Sequence, residues 1–394
     1  MNSPKHNIKT NTMKKTLLFL LLFTGMVNAQ IVNIPDANFK ANLIALGIDT
    51  NSDGEIQNSE ALAVTGTLEL HNFDIIDLTG ISSFTNITVL DLSTCKNLTS
   101  ADLHGLVNLR TLFLPMSKKF TSLYVKDSVN LTMLSSPETQ LTSLDLQGLV
   151  NISFLDLRGN QLTSLDLQGL VNISYLDLSG NQLTSLDLTD QINLGLLYCG
   201  GNQLTSLDLT NQINLEILAI DGNNNLSNLF IKNTKLKGDG KFTFSINPNL
   251  QYICADESQL EFVQSKIDEY GYTNCQVNTY CSFVPGGAYN TIKGNCKLDS
   301  NNNGCDASDV STANLKIKIN DGTTDGFTYI NATGDYAFYT EAGSFTISPQ
   351  FENPAYFTVS PTDAVVTFPT VTSETKLQDF CITANGVHPD LEVD

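Results

Sequence analysis

The chain has 394 residues, with 21 Lys and Arg against 41 Asp and Glu, for a formal net charge of −20. That length excludes one disulfide-stapled mini-fold and predicts two or three domains. A hydrophobic fraction of 41% excludes wholesale disorder. The acidity excludes nucleic acid and an anionic membrane surface as partners, because both need clustered Lys and Arg. Only four histidines occur, His6, His71, His104 and His388, which leaves little for histidine-based catalysis.

Met13-Lys14-Lys15-Thr16 leads into the apolar run Leu17–Phe23, followed by Val27-Asn28-Ala29-Gln30. A basic start, a short apolar core and small residues read as a secretory signal over residues 1–29, cut after Ala29. The apolar run is shorter than the ~20 residues needed to span a bilayer. The mature chain is therefore expected to be exported, secreted or at the cell surface, without inserting in a membrane.

Residues 30–63 predict a helical cap around an acidic loop. Pro35-Asp36 starts a short helix carrying Phe39, Leu43 and Leu46, and Ser59-Glu60 starts a second one. Between them, Asp49 to Glu60 matches a twelve-residue EF-hand loop. Asp49, Asn51 and Asp53 supply oxygens at positions 1, 3 and 5, with Gly54 at 6 and Ile56 at 8. Glu55 offers its carbonyl and Glu60 a bidentate carboxylate at 12. With no paired hand nearby, a structural calcium ion with affinity of about 10⁻⁴–10⁻³ M is the reading.

Residues 64–280 are governed by a repeat. Residues 141–161 read LTSLDLQGLVNISFLDLRGNQ and residues 162–182 read LTSLDLQGLVNISYLDLSGNQ, with further copies from 183 and 204 and weaker ones from Ile87, Leu109 and Leu131. The L-x-x-L-x-L-x-x-N-x-L pattern is the leucine-rich-repeat signature, and about eight coils are expected between residues 64 and 255. Each L-x-L puts leucines on the inner face of a short strand, and stacked coils bury them together at about 1.5–3 kcal/mol each. Asn160, Asn181 and Asn202 follow the strands and are expected to satisfy backbone groups of adjacent coils.

A second L-x-L on the other limb carries Asp145, Asp166, Asp187 and Asp208. This column is expected to be a solvated face, its carboxylates bonded by neighbours such as Thr163, Ser164, Thr184 or Ser185, with a cation ladder as the alternative. Outward positions of the first strand hold the candidate ligand residues. Phe113, Phe154, Tyr175 and Tyr198 form an aromatic track beside Asp156, Arg158 and Asp177, and a protein or sugar face and a plain cross-strand ladder both account for it.

Export permits disulfides. Cys95 and Cys199 lie within repeats and are expected to be buried thiols. The six later cysteines allow fifteen pairings, of which Cys254–Cys275, closing the array, is the one put forward. From about residue 288 the leucine period gives way to strand alternation, over Tyr289–Lys297, Leu315–Asn320, Phe327–Asn331, Tyr336–Thr340, Ser344–Pro349, Tyr356–Val359, Ala364–Phe368 and Leu377–Ile382. Even spacing predicts a β-sandwich in residues 281–394. Its first turn, Asp299-Ser300-Asn301-Asn302-Asn303-Gly304, repeats the 1, 3, 5 and Gly-at-6 spacing. Position 12 is Val310, so Asp306 or Asp309 would complete a second calcium shell. The predicted fold is mainly β: a leucine-rich-repeat solenoid with a short N-terminal helical cap, followed by a β-sandwich.

The stretch from Ile34-Pro35-Asp36-Ala37-Asn38-Phe39 through the acidic loop into repeated L-T-S-L-D-L resembles secreted leucine-rich-repeat proteins of Bacteroidetes-type bacteria. More distantly it is similar to the internalin group. Residues 289–382, with G-N-C-K-L-D-S-N-N-N-G-C-D, G-D-Y-A-F-Y and G-S-F-T-I, resemble the prealbumin-like sandwich modules of bacterial surface proteins. These include the calcium-binding B-type domains of serine-aspartate-repeat adhesins. The resemblances span nearly all of the mature chain and imply extracellular binding or adhesion. Many relatives of this type carry a C-terminal sorting domain for type IX secretion. None is seen here, so a truncated version or another export route is expected.

Two functions therefore stand: a monomeric, calcium-stabilised recognition or adhesion protein for an extracellular protein or glycan, and a spacer or surface-layer component without a specific ligand. Catalysis is not expected. G-x-S-x-G, H-E-x-x-H and Cys–His arrangements are missing. The pair Asp156 and Asp177 is expected on an open face with nothing to raise one pKa, unlike a glycosidase pair.

Overall fold

A computed structural model describes residues 30–236, 241–312 and 315–386. The expected export signal at residues 1–29 and His388 lie outside the described residues. The fold is mainly β, a solenoid of stacked coils with a short helical cap and a later β-sandwich, as the repeat pattern predicts. The chain divides into two compact units, residues 1–131 and 132–394.

In the first unit, helix Ala37–Ala45 is capped by Asp36. Its Oδ1 accepts the N–H groups of Asn38 (2.8 Å) and Phe39 (3.0 Å), and its Oδ2 accepts those of Ile76 (2.8 Å) and Asp77 (3.0 Å). One carboxylate thus ties the helix start to the first coil. Burial works against its charge, but the bonds from Ile76, Phe39, Asp77 and Asn38 outweigh it and hold the carboxyl below its ordinary range. Phe39 and Leu43 are buried as expected. Leu46 is exposed, because the helix ends at Ala45 and Leu46 caps it from outside the buried face. Strands Gly66–Glu69, Ile87–Asp91 and Thr111–Phe113 then stack in parallel, with Leu68, Leu90 and Leu112 pointing into the core.

In the second unit, strands Phe154–Asp156, Tyr175–Asp177, Leu196–Tyr198 and Ile217–Ala219 continue the same pattern, Leu155, Leu176, Leu197 and Leu218 forming one buried row. Cys199 replaces a leucine in the next inward row and is a fully buried thiol, as is Cys95 in the first unit. Phe242–Thr243 adds one more rung after Ile217–Ala219.

The asparagines do what the repeat demands. Asn181 accepts from the Leu162 N–H at 3.0 Å and donates to the carbonyls of Leu157 and Leu178, both at 3.0 Å. Asn202 bonds Leu183, Leu178 and Cys199 in the same way, and Asn223 carries the row onward to Leu204, Cys199 and Ile220. Gly180, at φ +67°, makes the left-handed turn just before Asn181. A second buried amide row was not anticipated: Gln191 donates to Leu167 O at 2.8 Å and Gln212 to Leu188 O at 2.6 Å.

Helix Leu260–Glu269 is also unanticipated. Its signal was present in Leu260, Val263 and Ile267, the three residues it buries, and in the Asp256/Gln259 capping box of the turn just before it. Beyond it, strand Gln276–Asn278 pairs in parallel with Tyr252–Cys254 and antiparallel, at Asn278 and Thr328, with Asp325–Tyr329 of the sandwich. The sheet on the array's second limb therefore runs unbroken into one sandwich sheet, through Lys316–Asn320, Gly343–Gln350 and Ala364–Phe368. The other sheet centres on Asn290–Asp299, with Asp335–Thr340 on one side and Thr375–Leu377 and Phe380–Ala384 on the other. Ile317, Ile319, Phe345 and Ile347 from the first sheet meet Ile292, Phe338, Phe380 and Ile382 from the second in one core.

The expected Cys254–Cys275 bridge is not formed; Cys254 pairs with Cys281, Cα–Cα 5.8 Å. Strand register explains it. Cys254 faces Asn278, so Cys275 lies three residues along the ladder, about 10 Å away. Cys305 pairs with Cys381, and Cys275 and Cys296 stay as buried thiols.

Asn181→Ala strips two buried carbonyls and one buried N–H of their partner and is expected to cost about 2–4 kcal/mol. Asn172→Ala, which frees only an exposed carbonyl of Val150, should cost less than about 1 kcal/mol. Urea unfolding of the two variants checks the difference; equal losses would refute the ladder's role.

Candidate functional site

Three groups of candidate residues can be built up from the fold. On the strand face of the second unit, parallel register sets Phe154 beside Tyr175 and Asp156 beside Asp177. Phe154 and Tyr175 stack with ring centroids 4.2 Å apart and planes 8° from parallel, and Tyr198 leans on Tyr175 at 5.7 Å. Arg158, just past the strand, reaches back so that its Nη1 lies 3.1 Å from Asp156 Oδ2 and 3.9 Å from Asp177 Oδ2. Phe113 stands half-buried on Thr111–Phe113 in the first unit.

The carboxylates differ from the sequence expectation of an open face. Asp156 is 5% exposed and Asp177 6%. Each also accepts a backbone N–H two residues on, Asp156 from Arg158 at 3.2 Å and Asp177 from Ser179 at 3.0 Å, so they cap the turn that precedes the asparagine. Burial pushes the Asp156 carboxyl above its ordinary range, against the bonds and charge of Arg158 and with help from the negative charges of Asp177 and Glu138. Burial, then Asp177 and Asp156, also raises the Tyr175 phenol. The face thus combines a rigid aromatic stack with one guanidinium shared between two desolvated carboxylates.

The second-limb aspartates settle elsewhere. Asp145 accepts from Gln147 N, Asp166 from Gln168 N, and Asp187 and Asp208 from both N–H and hydroxyl of Thr189 and Thr210. Their partners are the residues two places after them rather than the preceding Thr163, Ser164, Thr184 or Ser185, because the chain turns back on itself at that point. Thr189 holds the Asp187 carboxyl below its ordinary range through side-chain and backbone bonds.

The first acidic loop is closed by bonds from its own side chains. Asp49 accepts from Asp53 N at 3.2 Å and Gly54 N at 2.9 Å, Asn51 accepts from Asp53 N, and Asp53 accepts from Glu55 N. Glu60, however, bonds inward: Oε1 accepts from Thr50 and Asn51, and Oε2 from Gln57 N at 3.0 Å, closing a capping box. The Glu55 carboxylate pairs with Lys40 at 2.7 Å. The second loop repeats the pattern, Asp299 accepting from Asn303 N at 3.1 Å and Gly304 N at 2.9 Å, with Asn301 also bonding Asn303 N. Asp306 binds Ser308, and Asp309 Oδ2 accepts from Asp306 N at 2.8 Å. Asp309 is 8% exposed and its other oxygen, Oδ1, is enclosed without a hydrogen-bond partner. Among the described residues, no three His, Cys, Asp or Glu side chains stand together as a ready metal site.

Residues 54–212 match the family described as the endo-β-N-acetylglucosaminidase EndoS leucine-rich-repeat domain. That stretch takes in most of the array and the whole aromatic stack. Among solved structures, internalin C2 of Listeria monocytogenes is similar at 22% identity, covering 59% of this chain and 99% of its own, with a TM-score of 0.37. Listeria monocytogenes InlP is similar at 15% identity over 89% of this chain and 96% of its own, with a TM-score of 0.43. A Leptospira interrogans leucine-rich-repeat protein is similar at 18% identity over 50% of this chain and 68% of its own, with a TM-score of 0.28. A comparison with curated proteins finds no match.

The opposite shifts of Asp156 and Asp187 give a direct check. In a carboxyl-carbon NMR titration, Asp156 should lose its proton at higher pH than Asp187, and Arg158→Ala should widen the gap. Because the folded Asp156 holds its proton longer than the unfolded chain does, its contribution to stability falls as pH rises through that window. Asp156→Asn should flatten that part of the pH–stability curve; identical midpoints for the two aspartates would refute the burial argument.

Proposed function

We propose that this is an exported recognition protein that binds an extracellular protein or glycan partner on the strand face of its repeat array. The observation that carries the reading is the Phe154–Tyr175–Tyr198 stack beside Arg158, Asp156 and Asp177. Burying leucines between coils does not require aromatic rings on the outer side of the strands. Rings held rigid by their neighbours lose little freedom on binding, and a guanidinium beside them is the residue pattern enriched in binding hot spots. The match to a leucine-rich-repeat domain supports a binding role. No helix among the described residues is long and apolar enough to cross a membrane.

The reading is of a binding protein and not of an enzyme. Arg158 lies across both buried carboxylates, so neither stands open to a substrate as an acid. His71 and His104 are exposed and pair with Glu69 and Asp102. The second reading, a spacer without a specific ligand, would leave the stack as a cross-strand ladder worth about 0.2–1 kcal/mol per pair. Glycan and protein arrays probed with the full chain separate the two. Binding is expected, and Phe154→Ala with Tyr175→Ala and Tyr198→Ala should weaken it at least about tenfold with the fold retained by circular dichroism. No hit, or a hit that survives the triple variant, would favour the spacer.

Calcium enters this proposal as a structural ion. Both loops present only oxygen donors, which suits a hard cation. Asp49, Asn51, Asp53, the Glu55 carbonyl and Glu60 would hold it in the first loop, Glu60 exchanging its backbone bonds for the ion. Asp299, Asn301, Asn303, Asp306 and Asp309 would hold it in the second. The unpartnered Asp309 Oδ1 favours the second loop, since a buried carboxylate oxygen without a donor is costly unless a cation meets it. At 10 mM calcium and a dissociation constant of order 10⁻⁴ M, binding would add about 2.7 kcal/mol. The melting temperature should therefore rise in calcium over chelator, and Asp299→Asn with Asp309→Asn should remove most of the rise. Identical melting curves would end the calcium proposal.

A further inference from the structure

Away from the strand face, the second unit holds a cleft of about 590 Å³ where the last rungs of the array meet the sandwich. Gln251, Asn274 and Gln276 line it from the array side, and Lys293, Asn295 and Asn331 from the sandwich. We infer that this cleft is a second binding site, for a short neutral saccharide.

Gln276 is the central observation. It is 7% exposed, and its carboxamide has no hydrogen-bond partner among the described residues. Its amide atoms are not fully enclosed, and the residue lines the cleft wall. A buried amide is ordinarily bonded to protein, and leaving one free is a cost that a hydroxyl-bearing ligand removes. Lys293, on the sandwich wall, likewise has no carboxylate partner among the described residues. The floor is fixed. Tyr336 donates to Gln378 O at 2.6 Å, Tyr339 is packed at 4.9 Å against Tyr252, and Gly294 has Gln378 O where a Cβ would stand.

The lining selects the ligand class. Three carboxamides, from Gln251, Asn274 and Gln276, each offer donors and an acceptor, as sugar hydroxyls do, while Asn295 donates to Thr333 and Asp335 and the Asn331 oxygen is taken by the same two residues. Asp335 and Asp379 set two carboxylates against the single Lys293, which disfavours an anion. The strand that carries Lys293 is closed to an added peptide strand, because residues 291–293 are already paired with Tyr339–Ala337 on one side and Thr375–Leu377 on the other. Leu377, 76% exposed at the rim, supplies one apolar contact, enough for the face of one sugar ring and too little for an apolar ligand.

Saturation-transfer NMR on the full chain with three neutral disaccharides, diacetylchitobiose, cellobiose and maltose, tests this. Transfer to at least one is expected. It should fall about tenfold in Gln276→Leu and in the surface pair Lys293→Ala with Asn274→Ala, and persist in Tyr198→Ala on the strand face. If Gln276→Leu fails to fold, the exposed pair decides. Transfer from none of the three, or transfer unchanged in the cleft variants, overturns the inference. Transfer lost in Tyr198→Ala instead overturns it in favour of the strand face alone.

Discussion

A coil of this array cannot complete its own hydrogen bonds. Where the chain turns after each short strand, carbonyls point into the core with no backbone partner, and asparagine side chains of the same coil and of the next one supply it. Asn181 bonds one coil behind through Leu157 and its own coil through Leu178, while accepting from Leu162. Leucine burial supplies most of the driving force, but it is non-directional and would tolerate slippage. The asparagine row is directional and fixes the stacking register, so every outward column inherits its alignment. Phe154 and Tyr175 lie face to face at 4.2 Å because the rungs beneath them are locked at strand spacing.

The same constraint sorts the many aspartates. An aspartate whose oxygens meet several N–H or hydroxyl donors is held ionised, as Asp36 is by four backbone groups and Asp187 by Thr189. Asp156 has one backbone donor and one shared guanidinium, and burial beside Asp177 prevails. An excess of acidic residues thus coexists with a compact array: many aspartates serve as turn caps in contact with water, and where two buried carboxylates stand side by side on the strand face, Arg158 offsets part of their repulsion.

Much of this was legible in the sequence. Period, inward leucines, asparagine row, helical cap and sandwich strands were all readable, because each follows from local spacing. What depended on chain-to-chain register was not. The partner of Cys254 turns on which residue faces it across a ladder, and three positions of offset separate Cys275 from Cys254. The burial of Asp156 and Asp177 depends on what adjacent coils set beside them, Asp177 facing both Asp156 and Tyr198, while alternation along one strand only says that they point outward. Strand Leu377–Ile382 divides at Gln378 and Asp379, where Gln378 N donates to Lys293 O and Asp379 accepts from Asn295 N beside Gly294. Helix Leu260–Glu269 had readable signals, obscured by expecting repeat continuation alone.

The sequence boundary near residue 281 marks a change of pattern but no break in hydrogen bonding. Asn278 pairs with Thr328, and Phe230, Tyr252, Phe283 and Tyr339 form a shared aromatic cluster from both sides of that boundary. The Cys254–Cys281 bridge sits in the same place. A parallel sheet ending in an open edge would invite association, and here the edge is closed by an antiparallel strand of the sandwich. The sandwich therefore acts as the cap of the array. A polar cleft lies between array and sandwich at that junction, and Gln276 lines it on the one strand that pairs with both.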